Sequence, residues 1–141
     1  MEVVIAVGIV TVGLVSILGV LLLGVDITNE SSQRFGGIAR LEEVFEDLRT
    51  VPANPQEGTL SPRFRIAFPA QGSSTVWTGY FSEAEQLATA ENAVWAVDIS
   101  ISSPGSDQSG PFHIHGRARW PASATSGAEN GSVHLSTAMA K

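Results

Sequence analysis

The sequence predicts an α+β fold, in which a long N-terminal helix packs on a small antiparallel β-sheet of about four to five strands. Residues 3–25 carry no charge. Residues 35–48 place apolar side chains at threes and fours. From residue 63 onward, short stretches alternate apolar and polar side chains between turn-forming clusters. The boundaries that follow are 1–25 for an apolar, transmembrane half of the helix and 26–51 for its amphipathic half. Residues 52–141 form the β head.

The first element is VVIAVGIVTVGLVSILGVLLLGV, with Thr11 and Ser16 its only polar side chains. As a helix it would measure roughly 34 Å, against about 30 Å of hydrocarbon. In lipid the backbone must satisfy its own hydrogen bonds, so a helix is the expected form. A cleaved secretory signal fits poorly, because no basic n-region precedes the run and no A-x-A site follows it. Gly13, Ser16 and Gly19 recur at threes and leave one side of the helix smooth, which favours close helix approach. Glu2 is a lone carboxylate at the head of this run. It either faces the positive end of the helix dipole or awaits a partner charge in an apolar assembly.

The segment Met1-Glu2-Val3-Val4-Ile5-Ala6-Val7-Gly8-Ile9-Val10 resembles the N-terminal methylation segment of type IV pilins and type II secretion pseudopilins. In that family a short basic leader ends in Gly, and a glutamate at the fifth mature position leads an apolar helix. Glu2 matches that glutamate by context. The leader, its Gly and the residues between it and the glutamate are absent here, as a mature or truncated chain would explain. The resemblance implies a pilin-like fold and a filament core built from residues 1–25. It implies assembly through Glu2, Gly13, Ser16 and Gly19, with Glu2 paired to a neighbour's N-terminal amine. The implied partners are copies of the chain, related pilin-like subunits, the inner-membrane assembly machinery and, before assembly, the lipid bilayer. The implied location is the bacterial inner membrane, single-pass with a periplasmic head, and afterwards an extracytoplasmic filament.

The amphipathic half follows a polar stretch, DITNESSQRFGG. Phe35, Ile38, Leu41, Val44, Phe45 and Leu48 form one stripe, opposite Arg40, Glu42, Glu43, Glu46, Asp47 and Arg49. Gly36-Gly37 predicts a kink or a melted junction, and Pro52 ends the helix. The pilin resemblance extends to about residue 50. Phe35, Ile38, Leu41, Phe45 and Leu48 are expected against Ile99, Ile114 and Leu135.

In the head, residues 63–68 and 75–81 read as paired strands across a turn at 69–74. Residues 82–92 read as a loop or a short helical turn. Trp95, Val97, Ile99 and Ile101 alternate with polar or small residues, as do Phe112, Ile114, Gly116, Ala118 and Trp120, and then Val133, Leu135 and Thr137. These three strands predict a meander with one apolar face. His113, His115, Arg117 and Arg119 should face away from the helix. Arg117–Pro121 and the strand after it also resemble the head of the Verru_Chthon cassette group of prepilin-like proteins, whose last hairpin carries a Trp-Pro corner.

Composition excludes several functions. The chain has 141 residues, a net charge of -6 and no cysteine. An acidic protein is a poor nucleic-acid binder. Without cysteine there is no disulfide framework, thiolate metal site or catalytic thiol. His113, His115 and His134 suggest zinc. Parity of the apolar faces, however, puts His134 opposite Arg117 or Arg119, a step or two from the other histidines, and two arginines oppose a cation. Asp98, His113 and Ser136 could be drawn as a triad, but no G-x-S-x-G elbow is present. Asp107 is too little for calcium. No cofactor, metal site or enzymatic activity is expected. The sequence reading is a structural subunit, a minor pilin or pseudopilin of a pilus-like or secretion filament. The other class it allows is a single-pass anchored extracytoplasmic binding domain that does not polymerise.

Overall fold

No proline interrupts the first 49 positions, and helix α1 spans Glu2–Arg49. The computed structural model describes residues 2–52, 55–84, 87–105, 110–124 and 131–139; within α1 the side chains of 2–13, 22, 23 and 26 lie outside the described ones. Four strands follow: β1 (Ser74–Phe81), β2 (Trp95–Ser102), β3 (Phe112–Trp120) and β4 (Gly131–Met139). They form one antiparallel sheet in the order β1-β2-β3-β4. The chain divides into two units, Met1–Gln33 and Arg34–Lys141.

The expected fold class is corrected at its transmembrane half. Among the described residues no helix is long and apolar enough to cross a membrane. Thr28, Asn29 and Glu30 of α1 are exposed and polar.

In the second unit the sheet buries one face. Leu41, Val44, Phe45 and Leu48 of α1 join Val97, Ile99, Ile101, Ile114 and Trp120 in one core. Each such side chain contributes about 1.5–3 kcal/mol by leaving water. Gly116 shows how closely the helix sits: a Cβ there would lie 2.5 Å from the Phe45 ring and 2.7 Å from Leu41. Gly36-Gly37 does not break the helix. These glycines instead admit aromatic rings, Trp95 against Gly36 and Trp120 against Gly37.

Phe35 is 71 % exposed, because 100° per residue puts it about 120° around the helix from Leu41. Ile38 is half-buried. Leu135 is 39 % exposed, since it lies on the edge strand β4 while α1 covers β3 at Gly116. Residues 63–68 are not a strand paired with β1; they form a turn with a single bridge, Leu60 to Ala67, and β1 pairs with β2.

Asp47 explains that turn. It is buried rather than solvated. Its two carboxylate oxygens accept the backbone N–H groups of Arg63 and Phe64 at 2.9 and 3.0 Å. Glu43 adds ion pairs to Arg63 at 2.6 Å and to Arg40 at 3.1 Å. Arg65 then takes φ 54°, a left-handed conformation that ends strand geometry. Phe64, Ile66 and Phe68 still enter the core from this turn.

Candidate assembly surface and the polar sheet face

Two surfaces carry the residues singled out by sequence. The first is the apolar part of α1 in the first unit. Leu14, Val15, Ile17, Leu18, Val20 and Leu21 are all between 56 % and 70 % exposed. At 100° per residue these six positions spread over about 220° of the circumference, and Ser16 and Gly19 occupy the remaining arc. No face of this segment is therefore reserved for an internal core. Ser16 and Gly19 are exposed too, and nothing lies within 4 Å of where a Gly19 Cβ would stand. Gly13 and Glu2 belong to the helix by backbone, and their side chains lie outside the described residues. A shallow apolar depression at Val20, Leu21, Gly24 and Val25 runs on to Thr28 and Asn29.

The second surface is the outer face of the sheet in the second unit. The alternation in β3 puts His113 and His115 in solvent and leaves Arg117 and Arg119 half-exposed, with Phe112, Ile114, Gly116, Ala118 and Trp120 buried. The register pairs Arg117 with His134 and His115 with Ser136. Parity had allowed Arg117 or Arg119 opposite His134; backbone pairing selects Arg117. Asp98 is committed to its neighbours: Thr78 Oγ1 donates to it at 2.8 Å and Arg119 Nε at 3.1 Å. Arg119 also donates to the carbonyls of Ala122 and Ala124, which pins the 121–124 turn against the sheet. The Trp120–Pro121 bond before that turn is cis. Tyr80, Glu91, Asp98, Arg117 and Arg119 line an open groove of about 580 Å³.

The triad drawn from Asp98, His113 and Ser136 is not assembled. Ser136 Oγ meets His115 Nδ1 at 2.8 Å instead, and Asp98 is held by Thr78 and Arg119. Among the described residues no three His, Cys, Asp or Glu side chains cluster to hold a metal ion. Asp107 lies outside the described residues. Sequence spacing does not reveal the contact between His115 and His134, whose ring centroids lie 5.5 Å apart with 28° between the planes. The parity argument set only the face they share; the diagonal reach of two imidazoles across β3 and β4 closes the gap. No protein-family model, curated protein or solved structure matches this chain.

Proposed function

We propose that the chain is a structural subunit that polymerises through its N-terminal helix, as a minor pilin or pseudopilin of a type IV pilus-like or type II secretion filament. One observation carries this reading: an apolar helical segment, residues 14–21, is exposed on every side, and among the described residues of its unit no buried apolar side chain lies beside it. Isolated exposed apolar residues are ordinary, but a contiguous apolar helix surface is a protein or membrane contact surface. The pilin-like pattern around Glu2 supplies the class of assembly. Copies of the same helix would bury these side chains against one another, with Gly13, Ser16 and Gly19 as the smooth side of close approach. Glu2 would lose water in that packing and would need a neighbour's positive charge. The partners are then copies of this chain and related subunits, brought together by assembly machinery on the inner membrane, with the acidic heads outside.

The test is crosslinking of neighbouring subunits in cells, read beside electron microscopy of sheared filaments. Ile17→Asp should abolish incorporation while the head keeps its denaturation midpoint. Glu2→Ala should remove incorporation or its axial order. Wild-type crosslinking in both variants would rule out the helix as the polymerisation surface.

A further inference from the structure

The outer sheet face holds a feature outside the assembly reading. His115 Nε2 and His134 Nδ1 face each other at 3.5 Å. The other nitrogen of each ring meets a serine hydroxyl. His115 Nδ1 lies 2.8 Å from Ser136 Oγ, and His134 Nε2 lies 3.4 Å from Ser132 Oγ. When each ring donates its proton to its serine, both facing nitrogens present lone pairs. Two lone pairs pointed at one another repel, and a shared cation relieves the repulsion.

The separation decides which cation fits. A hydrogen bond between the rings would be best near 3 Å, so 3.5 Å is long for a shared proton. Two nitrogens at about 2.05 Å from a tetrahedral zinc stand about 3.3 Å apart. The gap between the histidines is within a small side-chain rotation of that value. Ser136 completes a familiar device at His115, in which a ligating imidazole is oriented by an acceptor on its other nitrogen. Imidazole is also a preferred ligand of zinc, copper and nickel. The charge surroundings are tolerable: Arg119 is neutralised by Asp98 at 3.1 Å. Arg117 stands opposite His134 in the register.

We propose that His115 and His134 form a two-histidine site for a divalent transition ion such as Zn²⁺, with Ser136, 2.8 Å from His115 Nδ1, as a positioning residue. Among the described residues no third protein ligand joins them, so water or a ligand from outside the chain would fill the remaining coordination positions. The site lies on the rim of an open groove of about 390 Å³ that Ser100, Ser102, His113, His115 and Ser136 line, so an ion can enter from solvent.

The experiment is calorimetric titration of the full chain with Zn²⁺, paired with electron paramagnetic resonance of its Cu²⁺ complex. One ion per chain should bind, and the copper spectrum should show two imidazole nitrogens. His115→Ala and His134→Ala should each abolish stoichiometric binding. Ser136→Ala should weaken it by about ten- to a hundredfold, the range for loss of an orienting partner. His113→Ala should leave it unchanged. All these side chains are on the exposed face, and circular-dichroism melts of each variant should match wild type. Absence of zinc binding, or wild-type binding by His134→Ala, overturns the proposal. An equal loss in His113→Ala also overturns it, by assigning the ion to the two histidines of β3 alone.

Discussion

Residues 14–21 and residues 41–48 belong to the same helix, and both are rich in leucine and valine, yet their side chains meet opposite surroundings. The first stretch is exposed at every described position. In the second, Leu41, Val44, Phe45 and Leu48 are buried to within 2 %. The difference lies in the spacing of charges. Glu42, Glu43 and Glu46 interrupt the second stretch and confine its apolar side chains to one arc, which a single sheet face can cover. The first stretch has no such interruption, so one internal partner could not cover it. Local secondary structure is the same in the two cases; the number of partner surfaces required is not.

The largest test of that contrast is in the second stretch. Phe45→Ala should cost about 3–5 kcal/mol of head stability, seen as a lower chemical-denaturation midpoint. Ile17→Ala should leave the midpoint within about 0.5 kcal/mol of wild type. A comparable loss in both would mean that residues 14–21 also pack in a core.

Asp47 lies on the flank of the buried stretch. Asp47→Ala strands two N–H groups in the turn after Ser61, and about 2–3 kcal/mol should be lost in the same measurement. Hydrogen exchange at Arg63 and Phe64 should quicken in parallel. An unchanged midpoint would show that the turn holds without the helix.

Gly116 measures how tightly helix and sheet meet. Gly116→Ala puts a methyl within 2.5 Å of the Phe45 ring, and overpacking of this kind costs about 1–3 kcal/mol. A double variant with Phe45→Leu should recover part of that cost, because the two sites are in contact. The smallest effect belongs to Phe35, on the exposed side of the second unit's helix. Phe35→Ser should shift the midpoint by no more than about 0.5 kcal/mol, and a larger loss would place Phe35 in the stripe after all.

The sequence alone determined what depends on near neighbours along the chain. Period-two alternation placed β2, β3 and β4 and put the histidines and arginines on the polar face, because a one-residue slip would expose an apolar face. Periodicity at threes and fours gave Leu41, Val44, Phe45 and Leu48 as the covering stripe. Tertiary structure decided what depends on partners far along the chain. Asp47 looked like a solvated face residue until the turn at 63–64 supplied two donors, sixteen and seventeen residues away. That capture also favours a turn at 63–64, since the N–H groups of Arg63 and Phe64 bond the Asp47 carboxylate and those of Arg65 and Ile66 bond Ser61 instead of a neighbouring strand. Phe35 matched the apolar spacing, yet the stripe that the sheet covers passes it by. His115 and His134 came together because register fixes a diagonal between strands, which composition and spacing on one strand cannot encode.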